Sequence, residues 1–409
     1  MRQQAKKTLV DRCLPVLAFL SAALLFVGLI NLGCVLWAYH ATVVLPPATL
    51  MRLATKFQFS MAPVMNAPSA ADLPGVSAYV CKPPCFYWNP SVITVKGHSF
   101  LAVRESTKSH CGGANIIRTA GVLLFRPAYN SVLIGKVNSF QHGMTSVELT
   151  ARVANGILKG DGPAHFGFED PRWMVHGNEV YLLLTREMNT HPTMFIVHVR
   201  EMEPAVVLDP PVQMISVHGA GMPEKNWMHI PYLEPDSDRL LFVSSLDPLE
   251  VVSADPSTGK CELVETHEKT GRQYWGSRLS GSSPFISSEG VLTAQDEEAV
   301  FIGLSHSKKM HEVYGDGLAT YVTYFTRIAR RRDGTWRLIV SDPFNLPLDE
   351  SKKTMRINYP TTISESPDHP DAFIISIGEM DCTSHAVKVE KQGVLDVVNG
   401  LMLQRLAAL

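Results

Sequence analysis

The stretch Asp170–Leu184, DPRWMVHGNEVYLLL, decides the fold. A proline opens a short apolar strand, His-Gly-Asn turns it, and a second apolar strand returns. Proline is tolerated at the first residue of a strand, where its missing N–H is not needed. The unit recurs as NPSVITVKGHSFLAV from Asn89 and IPYLEPDSDRLLFV from Ile230. SPFISSEGVLTA from Ser283 and YPTTISESPDHPDAFIISI from Tyr359 complete the set. Recurrence at roughly 50–80 residues implies radial or linear repetition. Four-stranded blades around an axis fit that spacing and hide their edges. The expectation is an all-β, five-bladed β-propeller over residues 75–409. A short helix from Glu390 ends it, with Val394, Val397, Val398 and Leu401 on one face.

The chain has 409 residues and a formal net charge of −2, so no global field points to nucleic acid. From Leu14 to Tyr39 it carries no charged residue. That run exceeds the roughly 20 residues that cross a bilayer and the about 7–15 of a signal-peptide core. Arg2, Lys6, Lys7 and Arg12 precede it, and Arg52 is the next basic residue. Positive-inside bias then gives a cytosolic tail at 1–13, a transmembrane signal anchor at 14–39 and a stem at 40–74. The expected placement is a single-pass type II membrane protein of the Golgi or ER with its propeller in the lumen. There Cys81 or Cys85 can pair with Cys111. CKPPC, Cys81–Cys85, has no second Cys/His pair at ligand spacing, so no metal and no cofactor is expected.

In a propeller the innermost strands line the axis, and the residues before each repeated proline meet at one mouth. These are Trp88 and Asn89; Glu169, Asp170 and Arg172; Lys225, Asn226 and Trp227; Arg278 and Ser283; Asn358 and Tyr359. Flat rings with amides and charges compose a sugar site. Side chains alternate along a strand, so a regular segment puts only one of Glu169 and Asp170 on the axis. His306 and Lys308 share a face by period two, and with Arg172, Lys225 and Arg278 they make a candidate phosphate pocket. An inverting hydrolase needs two carboxylates, the second to activate water. Phosphate is already a nucleophile, so one carboxylate beside a basic cluster favours phosphorolysis or transfer from an activated sugar. RIARRRD, Arg327–Asp333, reads as a solvated hairpin flank.

GFEDPRWMVHGNEVYLLLT, with WNPSVITVKG, KNWMHIPY, GSSPFI, GLSHSKK and GEMDCTSHAVKV in order, resembles the β-mannoside phosphorylases of glycoside hydrolase family 130. It is similar, more closely, to the β-1,2-mannosyltransferase/phosphorylases of glycosyltransferase family 108. The resemblance spans about Tyr79–Val389 and implies a five-bladed propeller. It places the catalytic aspartate at Asp170 and phosphate ligands at Arg172, Lys225, Arg278 and His306, with Lys308 beside them. Asp381, in GEMD, sits where the family contacts the sugar; the other sugar contacts expected of this chain are Asn89, Arg104, Glu169, Asn226, Trp227 and Tyr359. GLSHSK stands where the phosphorylases carry a His-Gly pair. The expected activity is therefore an inverting β-mannosyltransferase with a β-1,2 product. Its donor is GDP-mannose or mannose 1-phosphate and its acceptor a manno-oligosaccharide. The alternatives are a β-mannoside phosphorylase and a carbohydrate-binding propeller without turnover.

Overall fold

The computed structural model describes residues 55–61, 69–70, 86–106, 117–119, 122–124, 128–138, 143–153, 165–189, 191–219, 225–232, 237–270, 274, 278–310, 319–344, 358–379 and 383–406. Two short strands, β1 (Thr55–Met61) and β2 (Ser69–Ala70), come first. The first repeat supplies β3 (Phe86–Val95), β4 (His98–Ser106), β7 (Ala128–Val137) and β8 (Gly143–Val153), with a small hairpin of β5 (Ile117–Thr119) and β6 (Val122–Leu124) between them. Next come β9 (His165–His176), β10 (Glu179–Met188), β11 (His191–Glu201), β12 (Val207–Leu208) and β13 (Val212–Gln213). The third group is β14 (Met228–Ile230), β15 (Leu240–Leu246), β16 (Leu249–Ala254) and β17 (Cys261–Thr266). The fourth is β18 (Leu279–Gly281), β19 (Glu297–Met310), β20 (Ala319–Arg331) and β21 (Trp336–Val340). The last is β22 (Asn358–Glu365), β23 (Ala372–Glu379) and β24 (Thr383–Glu390), followed by the helix α1 (Lys391–Leu406).

Neighbours within each group pair antiparallel, as short polar turns between apolar runs dictate. β1 adds itself antiparallel to β24, Thr55 opposite Lys388, so an N-terminal strand completes the C-terminal group. It lies inside the stretch read as a stem. The result is an all-β, multi-sheet architecture of propeller-like kind. Its core lies between successive sheets. Phe168, Trp173, Leu182 and Leu184 pack with Ile93, Phe100 and Ile134, while Met228, Leu241 and Val251 pack with Phe285, Tyr324 and Trp336. In α1, Val394, Val398 and Met402 are buried at four-residue spacing, with Leu395 beside them.

The expected transmembrane helix is corrected here. Among the described residues no helix is long and apolar enough to cross a membrane, and 14–39 lies outside those residues. The signal anchor, the membrane partner and the type II luminal placement are withdrawn with it. Cys81, Cys85 and Cys111 also lie outside the described residues; Cys261 is half-buried, and its Sγ donates to Gly259 O at 3.4 Å.

Candidate functional site

Three of the expected axial positions share one backbone device. Asn89, Asp170 and Asn226 all have left-handed φ, at 51°, 53° and 66°. Asn and Asp tolerate that region better than other side chains. At the first two, pairing slips: β3 shifts register against β4 between Trp88 and Ser91, and Glu169 and Arg172 bracket a shift against β10. β22 shifts likewise between Pro360 and Thr362. A bulge breaks the period of two. Glu169 and Asp170 therefore both reach Arg104, at 2.6 and 3.3 Å, where strict alternation would have separated them. Glycines let the strands close in. A Cβ on Gly378 would lie 1.9 Å from Asn89 Oδ1, and one on Gly281 would lie 2.2 Å from Asn226 O.

Asp170 is buried at the centre of a cationic cage. Asn89 Nδ2 donates to its Oδ1 at 2.7 Å. Arg104 approaches the same oxygen, and Lys225 Nζ stands 3.1 Å from Oδ2. Burial alone would raise its pKa. Lys225, Arg104, Arg172 and the Asn89 bond outweigh burial and hold it well below the usual carboxylate range. Asp170 is thus an ionised acceptor in the resting site. The Lys225 ammonium is pushed up, chiefly by Asp170. Its side chain is still 39% exposed, so solvent screens part of this pairing.

Arg172 is the second centre. It is fully buried, with Nε donating to Ser282 O at 2.5 Å and one terminal nitrogen to Asn226 Oδ1 at 2.9 Å and to the Tyr359 hydroxyl. Tyr359 in turn donates to Asn226 Oδ1 at 2.7 Å. The other terminal nitrogen has no hydrogen-bond partner among the described residues. His306 meets Ser282 Oγ through Nδ1 at 2.8 Å and packs edge-on against Tyr359. Burial, with Arg172, Lys225 and Lys308 adding repulsion, lowers its pKa to about 3. His306 is therefore a neutral hydrogen-bonding group and brings no charge to a phosphate pocket.

The structure gathers Asn89, Arg104, Glu169, Asp170 and Lys225 around one carboxylate and Asn226, His306 and Tyr359 around Arg172, and the two groups act on each other electrostatically. Other expected residues depart from their assigned parts. Trp227 is 1% exposed and packs on Phe242 in the core, so it offers no sugar platform. Trp88 lies buried under the Arg104 guanidinium, 4.9 Å from its ring centre. Ser283 is buried, and its Oγ accepts the Leu304 N–H at 2.8 Å, which makes it a strand tie. Arg278 is exposed and donates to Ser245 Oγ, and no described contact joins it to Asp170 or Arg172. Lys308 is half-buried, with Nζ 5.8 Å from the Tyr321 ring centre. Asp381 lies outside the described residues.

Sequence reasoning missed Asn130, whose Oδ1 accepts from Arg104 Nε at 3.1 Å. It missed Ser282, and also Glu379, buried and 2.6 Å from His385 beside the Gly378 contact. The GSSP and GEMD motifs contained two of them. Nothing in the sequence around Asn130 marked it.

Among the described residues no cluster of three or more His, Cys, Asp or Glu could hold a metal ion. No protein-family model and no curated protein matches the chain. Solved structures do. The β-1,2-mannobiose phosphorylase of Listeria innocua, solved with β-1,2-mannobiose, aligns at a TM-score of 0.52 with 11% identity over 80% of this chain and 95% of its own. A structure from family GH130 of mannoside phosphorylases, which contains hydrolases targeting β-1,2 mannosidic linkages in Candida mannan, aligns at 0.47 with 12% identity over 74% and 84%. A thermostable family-43 glycoside hydrolase aligns at 0.37 with 10% identity over 76% and 91%. At such identities the likeness concerns the fold, and the similarity to the GH130 structures is distant.

Proposed function

We propose that this chain is a carbohydrate-active enzyme that cleaves and forms β-mannosidic bonds with phosphate as the partner, a β-mannoside phosphorylase. The observation that carries this reading is the pairing of one buried carboxylate, Asp170, with a fully buried arginine facing neutral acceptors. A buried guanidinium with an unpartnered N–H is costly unless an anion completes it. Phosphate supplies that charge and is also the nucleophile. A hydrolase needs a second carboxylate free to activate water, whereas Glu169 is bound to Arg104. The fold shared with the Listeria phosphorylase supports the same direction.

In phosphorolysis a phosphate oxygen forms the new bond to the anomeric carbon as the glycosidic C–O bond breaks. Asp170 in its acid form passes its proton to the departing oxygen. Arg172 and Lys225 hold the phosphate, and the configuration inverts to give α-mannose 1-phosphate. In reverse, ionised Asp170 takes the proton of an acceptor hydroxyl. That reverse reaction retains the transferase chemistry expected from sequence, with a sugar 1-phosphate as donor. The phosphorylase reading takes precedence over a nucleotide-sugar mannosyltransferase because the site and the shared fold both point to phosphate.

The test incubates the full chain with β-1,2-mannobiose and phosphate, and in parallel with mannose 1-phosphate or GDP-mannose plus mannose. Phosphate-dependent release of mannose 1-phosphate is expected. Cleavage at equal rate without phosphate would make it a hydrolase, and transfer from GDP-mannose alone would restore the transferase.

A further inference from the structure

Lys225 and Arg172 border the same carboxylate but are held in different ways. Arg172 is fully buried and fixed by Ser282, Asn226 and Tyr359. Lys225 is 39% exposed on its side chain, and its described polar contact is the one to Asp170 Oδ2. A fixed cation cannot follow an arriving anion; a long, partly exposed ammonium can. Lys225, which with Arg104 neutralises Asp170, must then share with Arg172 the holding of the phosphate. The acid role of Asp170 also conflicts with its resting state, where it is held ionised.

We propose that Lys225 is an exchangeable counter-ion: arriving phosphate draws its ammonium off Asp170, and only the phosphate-loaded site holds Asp170 as the acid for the departing oxygen. This rests on the phosphorolysis reading and adds an order to it, with phosphate preceding proton transfer. The groups facing Asp170 set the sign. Asn89 from β3 and Arg104 from β4 stay bonded to its Oδ1. Glu169 is neutralised by Arg104. Tyr359 from β22 and His306 from β19 are linked through Arg172 and Ser282, and His306 is uncharged. Losing Lys225 and gaining an anion both disfavour the carboxylate, so a proton enters from solvent. In the chemical step that proton goes to the glycosidic oxygen. As mannose 1-phosphate forms and leaves, the proton that phosphate carried in as HPO4²⁻ returns to solvent, the carboxylate regains Lys225, and the cycle closes with protons and charge balanced.

Calorimetric titration of inorganic phosphate, repeated near pH 7 in buffers of different ionisation heat, counts protons taken up on binding. Wild-type chain is expected to take up as much as about one proton per phosphate beyond what Asp170→Asn takes up. Lys225→Gln should bind phosphate about tenfold more weakly and with reduced uptake, because its Asp170 is already less ionised. Lys225→Arg should restore part of both. A merely structural Lys225 would leave the proton count unchanged. Phosphate binding with equal uptake in wild type and Asp170→Asn overturns the exchange and leaves phosphorolysis standing. Equal uptake in wild type and Lys225→Gln does so without relying on the Asp170 variant. No phosphate binding at all removes the phosphorolysis reading and the exchange together.

Discussion

Arg172 and Arg327 are both fully buried, yet their surroundings differ in kind. Arg327 meets the Glu297 carboxylate through both terminal nitrogens, at 2.8 and 2.6 Å, and adds the Leu292 carbonyl. Glu297 also accepts from Ala294 N, and Arg337 approaches it at 3.6 Å. Charge is matched by charge inside one sheet. Among the described residues Arg172 meets only neutral oxygens, and one of its terminal nitrogens has no partner. Asp170, which Arg172 acts on electrostatically, is bonded to Asn89, Arg104 and Lys225. A balanced buried pair is a structural tie; an unbalanced buried cation marks a place for a ligand anion.

The comparison breaks most visibly at Glu297. Glu297→Gln leaves Arg327 charged, buried and uncompensated, and should cost on the order of 3–5 kcal/mol. Urea unfolding measures it, and a loss under 1 kcal/mol would mean that the pair is solvated after all.

Asp170→Asn tests the other region. It keeps size and polarity but cannot exchange a proton, so phosphorolysis should fall at least about 10²-fold with the fold retained. Glu169→Gln separates its neighbour: near-normal turnover for Asp170→Asn with loss in Glu169→Gln would reassign the acid.

Buried histidines extend the contrast. His306 in the site and His229, packed against His176, both have pKa values lowered to about 3, by burial first. The unfolded chain binds their protons and the folded chain does not. The stability they allow is present above about pH 6.5 and is lost as pH falls towards 3. Between pH 7 and pH 5 each should remove about 2 kcal/mol. His229→Asn should flatten the fall of the urea midpoint over that range. Phosphate added to the wild type should offset the part due to His306 by engaging Arg172 and Lys225.

Arg278 gives the smallest effect. It is exposed on Ser245, so Arg278→Gln should change phosphate affinity by less than about 0.5 kcal/mol, the usual range for surface substitutions. A tenfold loss by calorimetry would return it to the site.

Much of this was legible in the chain. Repeated proline-led hairpins gave the all-β architecture because strand period and turn chemistry are local. The residues flanking those prolines gave Asn89, Asp170, Arg172 and Tyr359 because equivalent positions of repeats converge. RIARRRD misled at Arg327. A run of charges reads as solvated, but β20 is buried on both faces there, with Ile328 and Ala329 also enclosed. Trp227 misled in the opposite sense, since aromatic type does not tell a platform from a core residue. The apolar run at 14–39 remains a property of the sequence alone, outside the described residues.

Sequence by itself determined which side chains are available at the axis, through their types and spacing. Tertiary structure decided which of them bear charge and which are free to act. Glu169 and Asp170 face one Arg104 because a bulge with left-handed Asp170 overrides alternation. His306 is neutral because burial and three nearby cations oppose its proton. Arg172 keeps neutral oxygens as its described hydrogen-bond partners, while Arg104 and Lys225, from distant parts of the chain, engage Asp170. Desolvation and Coulomb interactions depend on distance in space, and no local pattern of residues encodes them.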